Sequence, residues 1–271
     1  MKENILFMQK VYSKDGTYIA FDKYGKGPVV ILVDGAIETR SSPSKPLLCK
    51  LLEPFFTVFN YDRRGRGGSG NTKPYSVKRE IEDIEAIVDY AGETACLYCH
   101  SSGGALGLEA ALKLNSKIKK IAIYEVPYND DPAIRPAWKD YLKQLSKALS
   151  EKRNDDAVYL FMKFVGTPEA QISSMHSNPN WKTFEAIAPT LAYDHTYILG
   201  EDLSVPKEKA KRLQIPALIM SGNAGNKFMG ITASKLNSVI PNSMLLTLDG
   251  QNHAVAPEKL APVLIDFFTS F

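Results

Sequence analysis

Cysteine is scarce in this chain: Cys49, Cys96 and Cys99 are the three among 271 residues. An odd, sparse set builds no disulfide framework. Cys96 and Cys99 form a C-x-x-C, but they fall in an apolar run that reads as a strand, where side chains three apart point to opposite faces. Dithiol redox or zinc chemistry is therefore not expected there. The four histidines, His100, His176, His195 and His253, show no metal-ligand spacing with the cysteines, so no metal is expected.

Long apolar runs are missing too. Nothing approaches the roughly 18 consecutive apolar residues of a membrane-crossing helix. The opening MKENILFMQK holds too short an apolar run for a secretory leader. No membrane association and a cytoplasmic location are the expectations. The net charge is +3 and no basic block occurs, which argues against a dedicated nucleic-acid surface. Internal repeats and low-complexity segments are absent as well. What remains is an ordinary globular composition, 44 % apolar and 23 % charged, long enough for a large core.

The elements alternate. Two short strands, about residues 7–13 and 17–24, flank SKDGT, whose Asp-Gly is a hairpin signal. GPVVILVDG and FFTVFNYD are continuous β-branched or aromatic runs, as expected of strands buried on both faces. SVKREIEDIEAIVDYAG sets Val77, Ile81, Ile84 and Val88 on one helical face and stops at Gly92. Then come the strand ACLYC, a helix from about Ser102 to Asn115, and the strand KIKKIAIYEV. The strand IPALIMSG, a helix over about 228–239, the strand SMLLTLDG and the final helix PEKLAPVLIDFF close the series. This is the signature of an α/β fold: a doubly wound, mostly parallel sheet of about eight strands with right-handed crossovers. One interruption, 128–211, carries only helical patterns such as AWKDYLKQLSKAL and DDAVYLFMKFV. The expected organisation is a core of 1–127 and 212–271, with 128–211 as a helical cap over the strands' C-terminal edge, where open α/β sheets bind ligands.

That edge carries Cys99-His100-Ser101-Ser102-Gly103-Gly104 between a strand and a helix. A strand–nucleophile–helix turn needs small residues two before and two after the nucleophile, which selects Ser101, flanked by Cys99 and Gly103. Ser102 then opens the helix, its N–H aimed at a developing oxyanion. An ordinary helix N-cap serine is the alternative. The hairpin, VDGA, YDRRGRGGSG, the C-H-S-S-G turn and the late LDGQNHAV, in that order, resemble the α/β-hydrolase family, whose elbow is G-x-S-x-G. The resemblance spans nearly the whole chain and departs at Cys99, which stands at the first glycine.

The resemblance implies His253, in the loop after the last strand, as the base, and Ala36 of Asp34-Gly35-Ala36 as the second oxyanion donor beside Ser102. Asp34, an acid so near that pocket, is expected to point away or be paired. The family usually carries its acid a few residues past the strand that here reads IPALIMSG, but NAGNKFMG contains no carboxylate. Glu125, at the tip of KKIAIYEV, occupies an alternative acid position seen in a subgroup resembling haloalkane dehalogenases. Asn226 as a neutral acceptor and Asp249 are further candidates, and Glu125 could instead tie down the cap.

DRRGRGGSG lacks the lysine and spacing of phosphate loops and resembles the family's turn after the fourth strand, its arginines knitting loop to sheet. Aromatic residues crowd the cap, and Tyr128, Trp138, Phe161 and Tyr193 are candidates to line an apolar pocket above Ser101. The implied activity is a cofactor-independent serine hydrolase acting through an acyl-enzyme on a small to medium, fairly hydrophobic ester, lactone or thioester. Lyase or perhydrolase chemistry, and a non-catalytic ligand-binding homologue, stay open. A small molecule is the expected partner, and a homodimer stays open.

Overall fold

Strand-forming runs bounded by glycine, each followed by a helical pattern, fold as that alternation requires. The computed structural model describes residues 9–270. The opening MKENILFM and the first two residues of the strand expected at 7–13 lie outside them. Strands β1 (Gln9–Tyr12) and β2 (Tyr18–Tyr24) form the hairpin, with Tyr12 opposite Tyr18. Next come β3 (Val29–Val33), α1 (Lys45–Leu52), β4 (Thr57–Tyr61), α2 (Val77–Ala91), β5 (Ala95–His100), α3 (Ser102–Leu114) and β6 (Ile118–Tyr124). Helices α4 (Ile134–Ser150), α5 (Asn154–Phe164), α6 (Glu169–His176), α7 (Trp181–Ile187) and α8 (Lys207–Ala210) lie between β6 and β7 (Ala217–Gly222). The chain ends with α9 (Lys227–Val239), β8 (Ser243–Leu248) and α10 (Pro257–Thr269).

The eight strands form one sheet in the order β1-β2-β4-β3-β5-β6-β7-β8. The pairs β1–β2 and β2–β4 are antiparallel and the others parallel. All five residues of β3 and of β4 are buried, as expected of strands covered on both faces. One face packs against α1 and α10 through Leu48, Leu52, Leu260 and Leu264. The other packs against α2, α3 and α9, and its apolar core runs without a break into the β6–β7 insertion, through Trp138, Tyr141, Leu145 and Trp181. The two cysteines of the C-x-x-C belong to opposite faces, Cys96 to the first core and Cys99 to the second.

Helix α1 is an addition to the sequence reading. KPLLCKLL is two turns long and begins with proline at its second position, too short for a periodic signal. Among the described residues no helix is long and apolar enough to cross a membrane, and no group of three His, Cys, Asp or Glu residues is placed to hold a metal ion.

Candidate active site

Ser101 sits between the last residue of β5 and the first of α3, with φ 54° and ψ −131°. That conformation is costly for a side-chain-bearing residue and persists only where surroundings impose it. Here Ser101 N–H donates to Tyr124 O (3.0 Å), and Gly104 N–H to Ser101 O (2.8 Å). A β-carbon on Gly103 would come within 2.3 Å of Val33 O, and one on Gly35 within 2.7 Å of Ser101 Cβ. The turn therefore needs glycine at both places. It tolerates Cys99 because Gly107, one turn along α3, leaves room: a β-carbon there would stand 2.2 Å from Cys99 Sγ.

Three side chains from three loops meet in one row. His253 Nε2 lies 3.1 Å from Ser101 Oγ, and His253 Nδ1 lies 2.8 Å from Glu125 Oε2. Glu125 is buried at the tip of β6 with φ 48°, and its Oε1 accepts Gly222 N–H at 2.9 Å. With Glu125 ionised, Nδ1 carries the proton and Nε2 is left as an acceptor for the serine hydroxyl. A β-carbon on Gly222 would overlap Gln251 O at 2.0 Å, so glycine lets the histidine loop close on β7. Asn226 is the N-cap residue of α9, and Asp249 accepts from Asn223 Nδ2 (2.8 Å). Neither joins the row.

The loop after β3 lies against Ser101. Ala36 N–H and Ser102 N–H have no acceptor among the described residues. Asp34 is buried and paired, its Oδ1 in contact with the Lys45 ammonium, and neither carboxylate oxygen accepts a well-formed hydrogen bond among the described residues. Burial pushes the Asp34 carboxyl up to about 7 against the pull of Lys45. Glu38 accepts Gly35 N–H (3.1 Å) and lies 3.1 Å from His100 Nδ1, while His100 Nε2 lies 3.0 Å from His253 O. Burial would raise Glu38, but Lys45 and His100 outweigh it and hold the carboxyl well below the usual range. Burial in turn lowers His100, opposed by Glu38.

The arginines of the β4 loop do more than knit loop to sheet. Arg64 pairs with Asp83 (2.6 Å) and Asp15 (2.9 Å). Arg63 forks onto Glu80 (2.7 Å) and also reaches Asp34 O (3.1 Å) and Asp194 (2.6 Å). Arg66 meets Gly35 O, Thr190 Oγ1 (3.1 Å) and Asp194. Asp194 Oδ1 also accepts from Ser102 Oγ at 2.7 Å. Burial would raise the Asp194 carboxyl, but the two guanidiniums hold it down at about 2.

Asp194 lies in a π-helix, Tyr193–Ile198, closed by Leu199 N–H donating to Asp194 O at 2.9 Å. No local pattern in TLAYDHTYIL announces its distant partners; a lone acid in an apolar, aromatic stretch is the one available signal. Of the expected pocket rings, Trp138, Tyr128 and Tyr193 are spent on packing. Trp138 Nε1 donates to Gly200 O (3.0 Å), and Tyr193 stacks on Tyr75 at 3.7 Å. Phe161 is half-buried and stacks on His195 at 5.4 Å.

Comparison with known proteins agrees with this architecture. A crystal structure of an alpha/beta hydrolase from Sphaerobacter thermophilus is 44 % identical, covers 96 % of this chain and 100 % of its own, and superposes with a TM-score of 0.87. An esterase from a Rhodococcus species shares the fold at 18 % identity, over 97 % of this chain and 98 % of its own, with a TM-score of 0.72. A proline iminopeptidase from Chitinophaga pinensis is 27 % identical over 103 residues, 36 % of this chain; the match spans about a third of that relative, 34 %. Residues 28–260 match the model of the alpha/beta hydrolase fold family, and the chain belongs to that family.

Proposed function

We propose that the protein is a serine hydrolase acting through an acyl-enzyme on a small to medium, fairly hydrophobic carboxylic ester, lactone or thioester. The observation that carries this is the Glu125–His253–Ser101 row, with its 2.8 Å and 3.1 Å contacts. Ser101 Oγ attacks the carbonyl carbon as His253 Nε2 takes its proton. Glu125 fixes the tautomer and stabilises the imidazolium. Ala36 N–H and Ser102 N–H receive the charge on the carbonyl oxygen. His253 then protonates the leaving group, and a water activated by the same nitrogen releases the acid.

Residues 128–211 act as the cap in this reading. Tyr128, Trp138 and Tyr193 stiffen its wall, and Phe161 is the ring free enough to meet substrate. The carboxylate absent after β7 no longer favours a ligand-binding homologue, because Glu125 reaches His253 from β6.

Labelling with a small fluorophosphonate, read by intact mass and peptide mapping, tests the reading. It requires one adduct at Ser101, lost in His253→Ala, and turnover of a short-chain aryl ester. A folded protein that binds such an ester without labelling or turnover would be a binding protein instead.

A further inference from the structure

The buried Arg66–Asp194 pair occupies a place the proposed chemistry does not yet use. Asp194 belongs to the insertion, yet its carboxylate meets Arg63, Arg66 and Ser102 at the foot of the Ser101 turn. Each arginine also donates to a main-chain carbonyl of the loop after β3: Arg63 to Asp34 O, Arg66 to Gly35 O. In a trans peptide the C=O and the following N–H point in opposite directions. Pinning Gly35 O on Arg66 therefore turns Ala36 N–H away from the arginine. Pinning Asp34 O on Arg63 likewise turns Gly35 N–H outward, where Glu38 takes it at 3.1 Å.

The next residue shows that the loop needs holding. Ile37 has φ 50°, a conformation that a β-branched side chain adopts only under constraint. Both guanidiniums are fully buried, so any hydrogen bond they lost would not be replaced by water.

We propose that Arg66, held by Asp194, is a positioning residue that fixes the Gly35–Ala36 peptide so that Ala36 N–H faces the carbonyl oxygen under attack at Ser101. The insertion thereby sets the oxyanion site as well as covering it. This rests on the serine-hydrolase reading above.

Two variants test it, Arg66→Lys and Asp194→Asn. A lysine keeps the charge but is a single compact donor group that does not reproduce the fork reaching Gly35 O, Thr190 and Asp194 together. Loss of one oxyanion donor lowers turnover by roughly 10²- to 10³-fold. The expectation is a fall in kcat of that order in Arg66→Lys, with KM within a few-fold of wild type. Affinity for a trifluoromethyl ketone, which forms a tetrahedral adduct on Ser101, falls in parallel. Asp194→Asn shows the same pattern, smaller. A merely structural arginine would shift the melting temperature but leave the ratio of ketone to substrate affinity unchanged, and that result overturns the inference.

Should neither variant fold, the amide spectrum of ¹⁵N-labelled wild type decides. A single Ala36 resonance that moves when the ketone adduct forms supports a fixed peptide. A doubled or unmoved Ala36 resonance overturns it. If wild type forms no ketone adduct and takes no fluorophosphonate at Ser101, the hydrolase reading itself fails, and the inference falls with it.

Discussion

A β-carbon at Gly107 would lie 2.2 Å from Cys99 Sγ and 3.1 Å from Cys99 Cβ, so these two positions are matched in volume. Gly107→Ala should destabilise the fold by about 1–3 kcal/mol through overpacking. Cys99→Gly in the same chain should recover much of that loss, a coupling read from denaturant midpoints of the two single variants and the double one. Additive effects would mean that the turn relaxes elsewhere. Glu125→Gln is the matching test of the row. It keeps the side-chain shape and an acceptor but removes the charge, and kcat should fall by roughly 10⁴-fold with the melting temperature little changed. Full activity in that variant would remove Glu125 from the mechanism. The position of Ser101 was legible in the strand–turn–helix pattern, and those of His253 and Glu125 in the resemblance to the α/β-hydrolase family, which puts its base and one of its alternative acids just past strand tips. Glu38, Arg66 and Asp194 were not, because their partners stand across loops whose paths no periodicity describes.

At the scale of elements, the π-helix Tyr193–Ile198 is the part of the insertion that helical spacing could not foresee. Its wider turn presents Asp194 to Arg63 and Arg66, and His195 to a box of Trp138, Tyr141 and Phe161. His195 Nδ1 lies 2.7 Å from the Tyr141 hydroxyl. Burial lowers its pKa from 6.5 to about 4, against the pull of Asp194 and with the help of Arg66 and Arg63. The folded protein therefore keeps His195 neutral, while the unfolded chain takes up a proton below about pH 6.5. Stability from this group is complete above pH 6.5 and drains away as pH falls towards 4, a loss on the order of 3 kcal/mol. His195→Asn keeps a polar partner for Tyr141 and cannot titrate. Chemical unfolding of both proteins from pH 4 to 7 should show their stability difference shrinking by about that amount as pH falls. Other groups, such as Asp83 raised by burial to about 6, cancel in the comparison. A constant difference would mean that His195 takes up its proton over the same pH range in the folded protein as in the unfolded chain. Helix α1 and the π-turn were hidden in the sequence, one too short to show a period and the other off the period altogether.

At the scale of the molecule, the sequence divides naturally into core and insertion, but the packing joins them. The apolar cluster beneath α2 and α3 continues into Trp138, Tyr141, Leu145 and Trp181. Asp194 supplies part of the buried counter-charge for Arg63 and Arg66, and Thr232 Oγ1 of α9 donates to Tyr128 O at the start of the insertion. Opening the insertion as a separate unit would break both Asp194 ion pairs and expose the apolar core it shares with α2 and α3 to water in one step. Melting should therefore be one cooperative transition, the same by far-UV dichroism and by tryptophan fluorescence. Both tryptophans, Trp138 and Trp181, lie in the insertion, so fluorescence reports that part alone while dichroism reports the whole. Coincident curves mean that access to Ser101 comes from local movement of side chains or short loops. A fluorescence transition well below the dichroic one would mean that the insertion melts off a standing sheet, and that the Asp194 ion pairs are weaker than their burial implies.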